Sequence, residues 1–95
     1  MSNVGQGMAR DKSIASLTGA SQTLSALNGN RQFLLIENTG SDNIGVNLVG
    51  GVAAIGGVGT VTLVPNGSLL FQQWCPQNAI TVIGTAAKTV TAIEG

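Results

Sequence analysis

The sequence has no histidine and no tyrosine, a single cysteine, and very few charged residues. Each shortage excludes something. Without histidine the chain lacks the commonest general base and the commonest metal ligand. Cys75, alone and with no histidine to activate it, makes neither a Cys–His nucleophile nor an intramolecular disulfide. Charged residues make up 8% of the 95, against roughly 25% in an ordinary soluble domain. The four basic residues, scattered and balanced by four acids, cannot form a phosphate-binding patch, which argues against nucleic acid and anionic membranes as partners. Nor is there an apolar run of about 18 residues to span a membrane. The opening residues MSNVGQGMARDK lack the apolar stretch of a signal peptide, and glycine is not second, as myristoylation requires. The expectation is a chain made in the cytoplasm with no need of an oxidising compartment.

What remains is apolar and neutral. Aromatics are only Phe33, Phe71 and Trp74, so the core must be built from Leu, Ile, Val and Ala. A domain of this length buries somewhat over about 60% of its extended surface, a real but thin core. With zero net charge, solubility rests on Asn, Gln, Ser and Thr. Such a surface belongs either to a chain packed in an assembly or outside the cell, or to a monomer with an amide- and hydroxyl-rich exterior. We prefer the first.

The pattern along the chain is β throughout. Residues 1–12 read as a flexible arm, holding the cluster Arg10-Asp11-Lys12, either frayed or ordered on a neighbouring subunit. Residues 13–95 read as one β-sandwich domain. In Ser13 to Leu27, Gly19 and many Ser and Thr residues disfavour a helix, leaving one or two short strands, the better being Gln22 to Leu27. Asn28-Gly29-Asn30 is a turn. Phe33 to Ile36, apolar on both faces, fits a strand buried between layers. Ile44, Val46 and Leu48 alternate as a half-buried strand. GGVAAIGGVG (Gly50 to Gly59) reads as a flexible loop or weak strand. Thr60 to Val64, the turn Val64-Pro65-Asn66-Gly67 and Ser68 to Trp74 read as a hairpin. Ile80 to Ile83 and Thr89 to Ile93 close the chain. About seven short strands with turns between them predict an all-β antiparallel sandwich or small barrel.

Nothing in this pattern forms a catalytic constellation. Glu37 and Asp42 flank one turn, and with Asn38 and Asn43 could be imagined around Ca²⁺, but the spacing is not that of an EF-hand. The glycine-rich loop lacks the Lys-Ser/Thr of a phosphate-binding loop and no helix follows it. No cofactor, metal or catalytic residue is expected. The candidate partner contacts are Arg10 and Lys12 in the arm, Trp74, and Arg31. Trp74 shares a strand face with Leu70, opposite Phe71 and Leu69, and is either a subunit contact or core. Arg31 is expected at the rim, hydrogen-bonded to a neighbouring backbone or carboxylate. Cys75 is expected to be a small buried hydrophobe.

The block Asn30-Arg31-Gln32-Phe33-Leu34-Leu35-Ile36-Glu37-Asn38 resembles the N-R-x-x-L-x-I-x-N opening of a group of small structural proteins of tailed bacteriophages. Asp42 to Asn47 resembles that group's second strand, Val64 to Ser68 its polar hairpin, and Val90-Thr91-Ala92-Ile93-Glu94-Gly95 its V-x-x-x-E-G close. The likeness runs from about Ser21 to Gly95. It departs where the group often has an aromatic and this chain has Gly45 and Val46, and in the apolar glycine-rich loop. The resemblance implies a non-catalytic capsid decoration (cement) protein on the virion surface. It would be a homo-oligomer, a trimer in preference to a dimer, binding the major capsid protein across capsomer joints. The alternative it leaves open is a tail-tip, fibre or other minor virion module that binds a host receptor, with Trp74 as the one candidate for stacking on a sugar.

Overall fold

A computed structural model of the chain describes residues 8–95. Eight short strands, and no helix among the described residues, form two antiparallel sheets. In chain order they are β1 (Arg10–Asp11), β2 (Gln22–Ser25), β3 (Leu34–Glu37), β4 (Ile44–Asn47), β5 (Thr60–Leu63), β6 (Ser68–Phe71), β7 (Ile80–Ile83) and β8 (Thr91–Glu94). One sheet runs β1-β8-β3-β6, the other β2-β7-β4-β5. Two interleaved four-stranded sheets in which the chain crosses between layers at almost every connection make a jelly-roll sandwich. Only β4 and β5 are consecutive strands that pair.

Alternation supplies the core. Leu34 and Ile36 of β3, Ile44 and Val46 of β4, Ile80 and Val82 of β7, and Ala92 of β8 turn inward and are fully buried. Leu17, Leu24, Leu63 and Val90 complete the cluster. β3 is not buried on both faces as its run of apolar residues predicts. Leu34 and Ile36 face the core, while Leu35 and Glu37 are half-buried on the outer face. β4 takes that interior role instead, with all four residues buried. Gly45 permits it, because a Cβ there would lie 2.8 Å from the Thr60 methyl.

Three further expectations are corrected. The turn at Pro65-Asn66-Gly67 does not close a hairpin: β5 pairs with β4 and β6 pairs with β3, in opposite sheets. Buried Asn38 decides this. Its main chain bonds to Gly67 and Asn66, and its side-chain amide donates to Leu63 O (2.9 Å) and Asp42 O (2.8 Å), so the turn becomes a corner between layers. The arm expected over residues 1–12 is tied down where it is described. Arg10–Asp11 pair with Glu94 and Ile93 of β8, and Lys12 N donates to Ala92 O; residues 1–7 lie outside the described residues. Cys75 is half-buried rather than enclosed.

Candidate functional site

The register brings three features to one end of the sandwich. Ser25 pairs with Ile80 and Asn47 with Thr81, so the turn after β2, the long β4–β5 loop and the segment before β7 all gather there.

The first feature is a buried ion pair. Arg31 is 1% exposed, so the residue expected at the rim lies in the interior. Its Nε donates to Glu94 Oε1 at 2.8 Å. Nη1 donates to the carbonyls of Pro76 and Asn78, and Nη2 to Ser25 Oγ and Ala26 O. Five N–H groups meet five acceptors, so the guanidinium has no donor left over. Ser25 reaches this site because a bulge between Thr23 and Ser25 turns Leu24 and Ser25 inward together. Glu94 also accepts from Ser25 Oγ and Asn28 Nδ2, and exposed Arg10 stands 3.5 Å from its Oε2. Burial by itself would raise the Glu94 pKa; the hydrogen bonds from Ser25, Arg31 and Asn28 and the Arg31 charge outweigh it and bring it down to about 2. Gly95 completes the clasp, its backbone bonding to Gln32 and Phe33.

The second feature is the β4–β5 loop. Val49, Val52, Ile55 and Val58 are all exposed, Val58 at 99%. The loop is nevertheless anchored. Buried Asn47 accepts from Val49 N and Gly51 N and donates to Val52 O, while Thr81 Oγ1 donates to Gly51 O and Ala53 N donates to Ser21 Oγ.

The third feature is a cleft of about 540 Å³ lined by Arg31, Gln32, Gln72, Gln73, Trp74, Cys75 and Gln77. The chain leaves β6 after Phe71, and Trp74 stands 70% exposed beyond it. The edge of one ring meets the other in the Phe71–Trp74 pair, with centroids 6.0 Å apart and planes at 72°. A shallower hollow of about 430 Å³ lies beside it, bounded by Leu70, Phe71, Gln72, Gln73 and Trp74. Burial pushes the Cys75 thiol pKa up, despite the nearby Arg31 charge.

Of the four residues expected to meet a partner, Trp74 and Arg10 are exposed, Lys12 is half-buried beside β1, and Arg31 is enclosed. Among the described residues no cluster of acids and cysteine could hold a metal, and every buried side-chain nitrogen or oxygen has a partner. The glutamines were missed as a group; their one signal in sequence was the amide-dense run Gln72-Gln73-Trp74-Cys75-Pro76-Gln77.

No family model matches the chain, and no curated protein matches it in sequence. A solved structure does match in shape. It belongs to the Bacillus endospore appendages, described as a novel family of disulfide-linked pili. The TM-score is 0.53 at 17% identity, covering 92% of this chain and 81% of that one. At that identity the likeness is one of fold, and it agrees with the small all-β sandwich expected from the sequence.

Proposed function

We propose that this chain is a non-catalytic structural subunit that works docked in a protein assembly. The observation that carries the reading is the β4–β5 loop. Four large aliphatic side chains stand in solvent on a loop that Asn47 and Thr81 hold in place. Exposed aliphatic side chains gathered on one anchored loop, in a chain this poor in charge, are what a buried contact requires. Contacts of this kind are insensitive to salt, and they stabilise an assembly by binding only its assembled form.

Within that class we favour a decoration protein on a phage head, partnered by the major capsid protein and by further copies of itself. Its support is the order of the motifs from Asn30 to Gly95. Arg10, on the outer strand of its sheet, and Lys12, just after that strand, carry forward as contact candidates. A second reading, a subunit of an extracellular appendage, is supported by the fold shared with the Bacillus pilus protein. The test is to image the purified protein by electron microscopy, alone and after mixing with expanded phage heads, and to repeat both with Val52→Ser/Val58→Ser. Saturable occupancy on heads, lost in the variant, supports decoration. Filaments from the protein alone support the appendage reading. A monomer that stays unbound at high concentration overturns both.

A further inference from the structure

We infer that the cleft around Trp74 is a binding site for a neutral saccharide. The inference rests on the walls of the cleft, independently of whether the chain assembles. Trp74 supplies a flat apolar surface, 70% exposed and held in a T-shaped contact with Phe71. A ring of this kind takes a ligand with an apolar face, as the C–H face of a pyranose provides. Around it stand Gln32, Gln72, Gln73 and Gln77, all exposed. A glutamine amide offers two donors and an acceptor with two lone pairs. This matches sugar hydroxyls, which donate and accept at the same oxygen. Among the described residues these four side chains make no hydrogen bond that would have to be broken first.

The charge of the cleft excludes the obvious alternative. An arginine in a cleft wall usually argues for a phosphate or carboxylate ligand. Here all five Arg31 N–H groups are already committed to Glu94, Ser25 and three carbonyls, and Glu94 balances the charge. Burial keeps the Cys75 thiol protonated. The surface presented to a ligand is therefore neutral. A peptide strand is also a poor fit, because residues 72–77 lie beyond β6 and form no ladder for it to extend. The two hollows share Gln72, Gln73 and Trp74. At about 540 and 430 Å³ each falls within the range of small-molecule sites, roughly 300–1,000 Å³. An oligosaccharide crossing Trp74 would occupy both.

Trp74 is the only tryptophan, so its fluorescence reports on the cleft directly. The experiment is to titrate the full chain with maltohexaose, cellohexaose and hexa-N-acetylchitohexaose, with dextran sulfate as the anionic control, in low and high salt. The expected result is a saturable emission change with at least one neutral hexasaccharide, with the same Kd in both salts. Gln72→Ala/Gln73→Ala, which alters only exposed side chains, should weaken that Kd about tenfold at unchanged Tm, from the loss of one or two neutral hydrogen bonds. No response to any neutral sugar, a response to dextran sulfate alone, or an unchanged Kd in the double variant would overturn the inference. So would a Trp74→Ala variant that loses assembly while the unmodified chain ignores all three sugars, since the cleft would then be a protein contact.

Discussion

Two neighbouring regions at one end of this sandwich invert the usual relation between polarity and burial. The Arg31–Glu94 pair is charged and enclosed; the loop carrying Val49, Val52, Ile55 and Val58 is apolar and open. The difference lies in what each can satisfy by itself. The ion pair closes its own ledger of donors and acceptors within one chain. The loop satisfies its backbone through Asn47 but leaves its side chains without cover. One region is complete in the single chain, and the other leaves four aliphatic side chains in solvent.

The largest effect should come from breaking the enclosed half. Arg31→Met leaves buried Glu94 with only the exposed Arg10 for a counter-charge and should destabilise the fold by about 3–5 kcal/mol in urea unfolding. Arg31→Met/Glu94→Leu should recover most of that loss, because apolar replacement of a whole pair is often close to neutral. Next comes acid. The Glu94 pKa is about 2 in the fold against 4.5 for a free glutamate side chain, so its contribution is present above about pH 4.5 and is lost as pH falls toward 2. Stability should fall over that window, by less than the roughly 3 kcal/mol of the full shift because solvent screens part of it, and Glu94→Gln should flatten this acid limb of the stability curve. A smaller cost falls where the two regions meet in kind. Asn47→Ala removes a buried amide that organises the apolar loop and should lower stability by about 1–3 kcal/mol, read as a shift in urea midpoint. The smallest change in stability, within about 0.5 kcal/mol, is expected for Val52→Ser/Val58→Ser. A loss of several kcal/mol there would show the loop to be part of the core and would erase the contrast.

Legibility in the sequence followed the same divide. Strand β4 could be placed from alternation, and the glycine-rich stretch from its lack of it, because those signals are local. The enclosed arginine could not. Its burial makes sense only beside Glu94, 63 residues away along the chain. Pro65-Asn66-Gly67 announces a turn equally well for a hairpin or a corner, and the choice was made by Asn38, which clasps that turn from just beyond the end of β3. The two-residue β1 was too short and too polar to separate from an arm. The glutamines of the cleft come from two separate stretches, and only the fold makes them neighbours.

The motif behind the phage resemblance acquires a physical meaning here. Of its five fixed positions, Arg31, Leu34, Ile36 and Asn38 are fully buried, and Asn30 stands exposed in the turn before them. Its distant close, Glu94-Gly95, docks on its beginning, with Glu94 on Arg31 and Gly95 on Gln32 and Phe33. These residues hold the sandwich shut. Chains that share them would share a fold, whatever surface each presents to its partners.

The places of β7 and β8 have a consequence for synthesis. Both are inner strands: β8 lies between β1 and β3, and β7 between β2 and β4. A nascent chain that has delivered only its first six strands has a gap in the middle of each sheet, and nothing upstream can fill it. The apolar strands already made must therefore wait at the ribosome for residues 80–94. Closure then brings together partners far apart in sequence, the kind of topology that folds in milliseconds to seconds rather than microseconds. Premature contact between nascent copies is the hazard of that interval, and the scarcity of charge leaves little repulsion to prevent it.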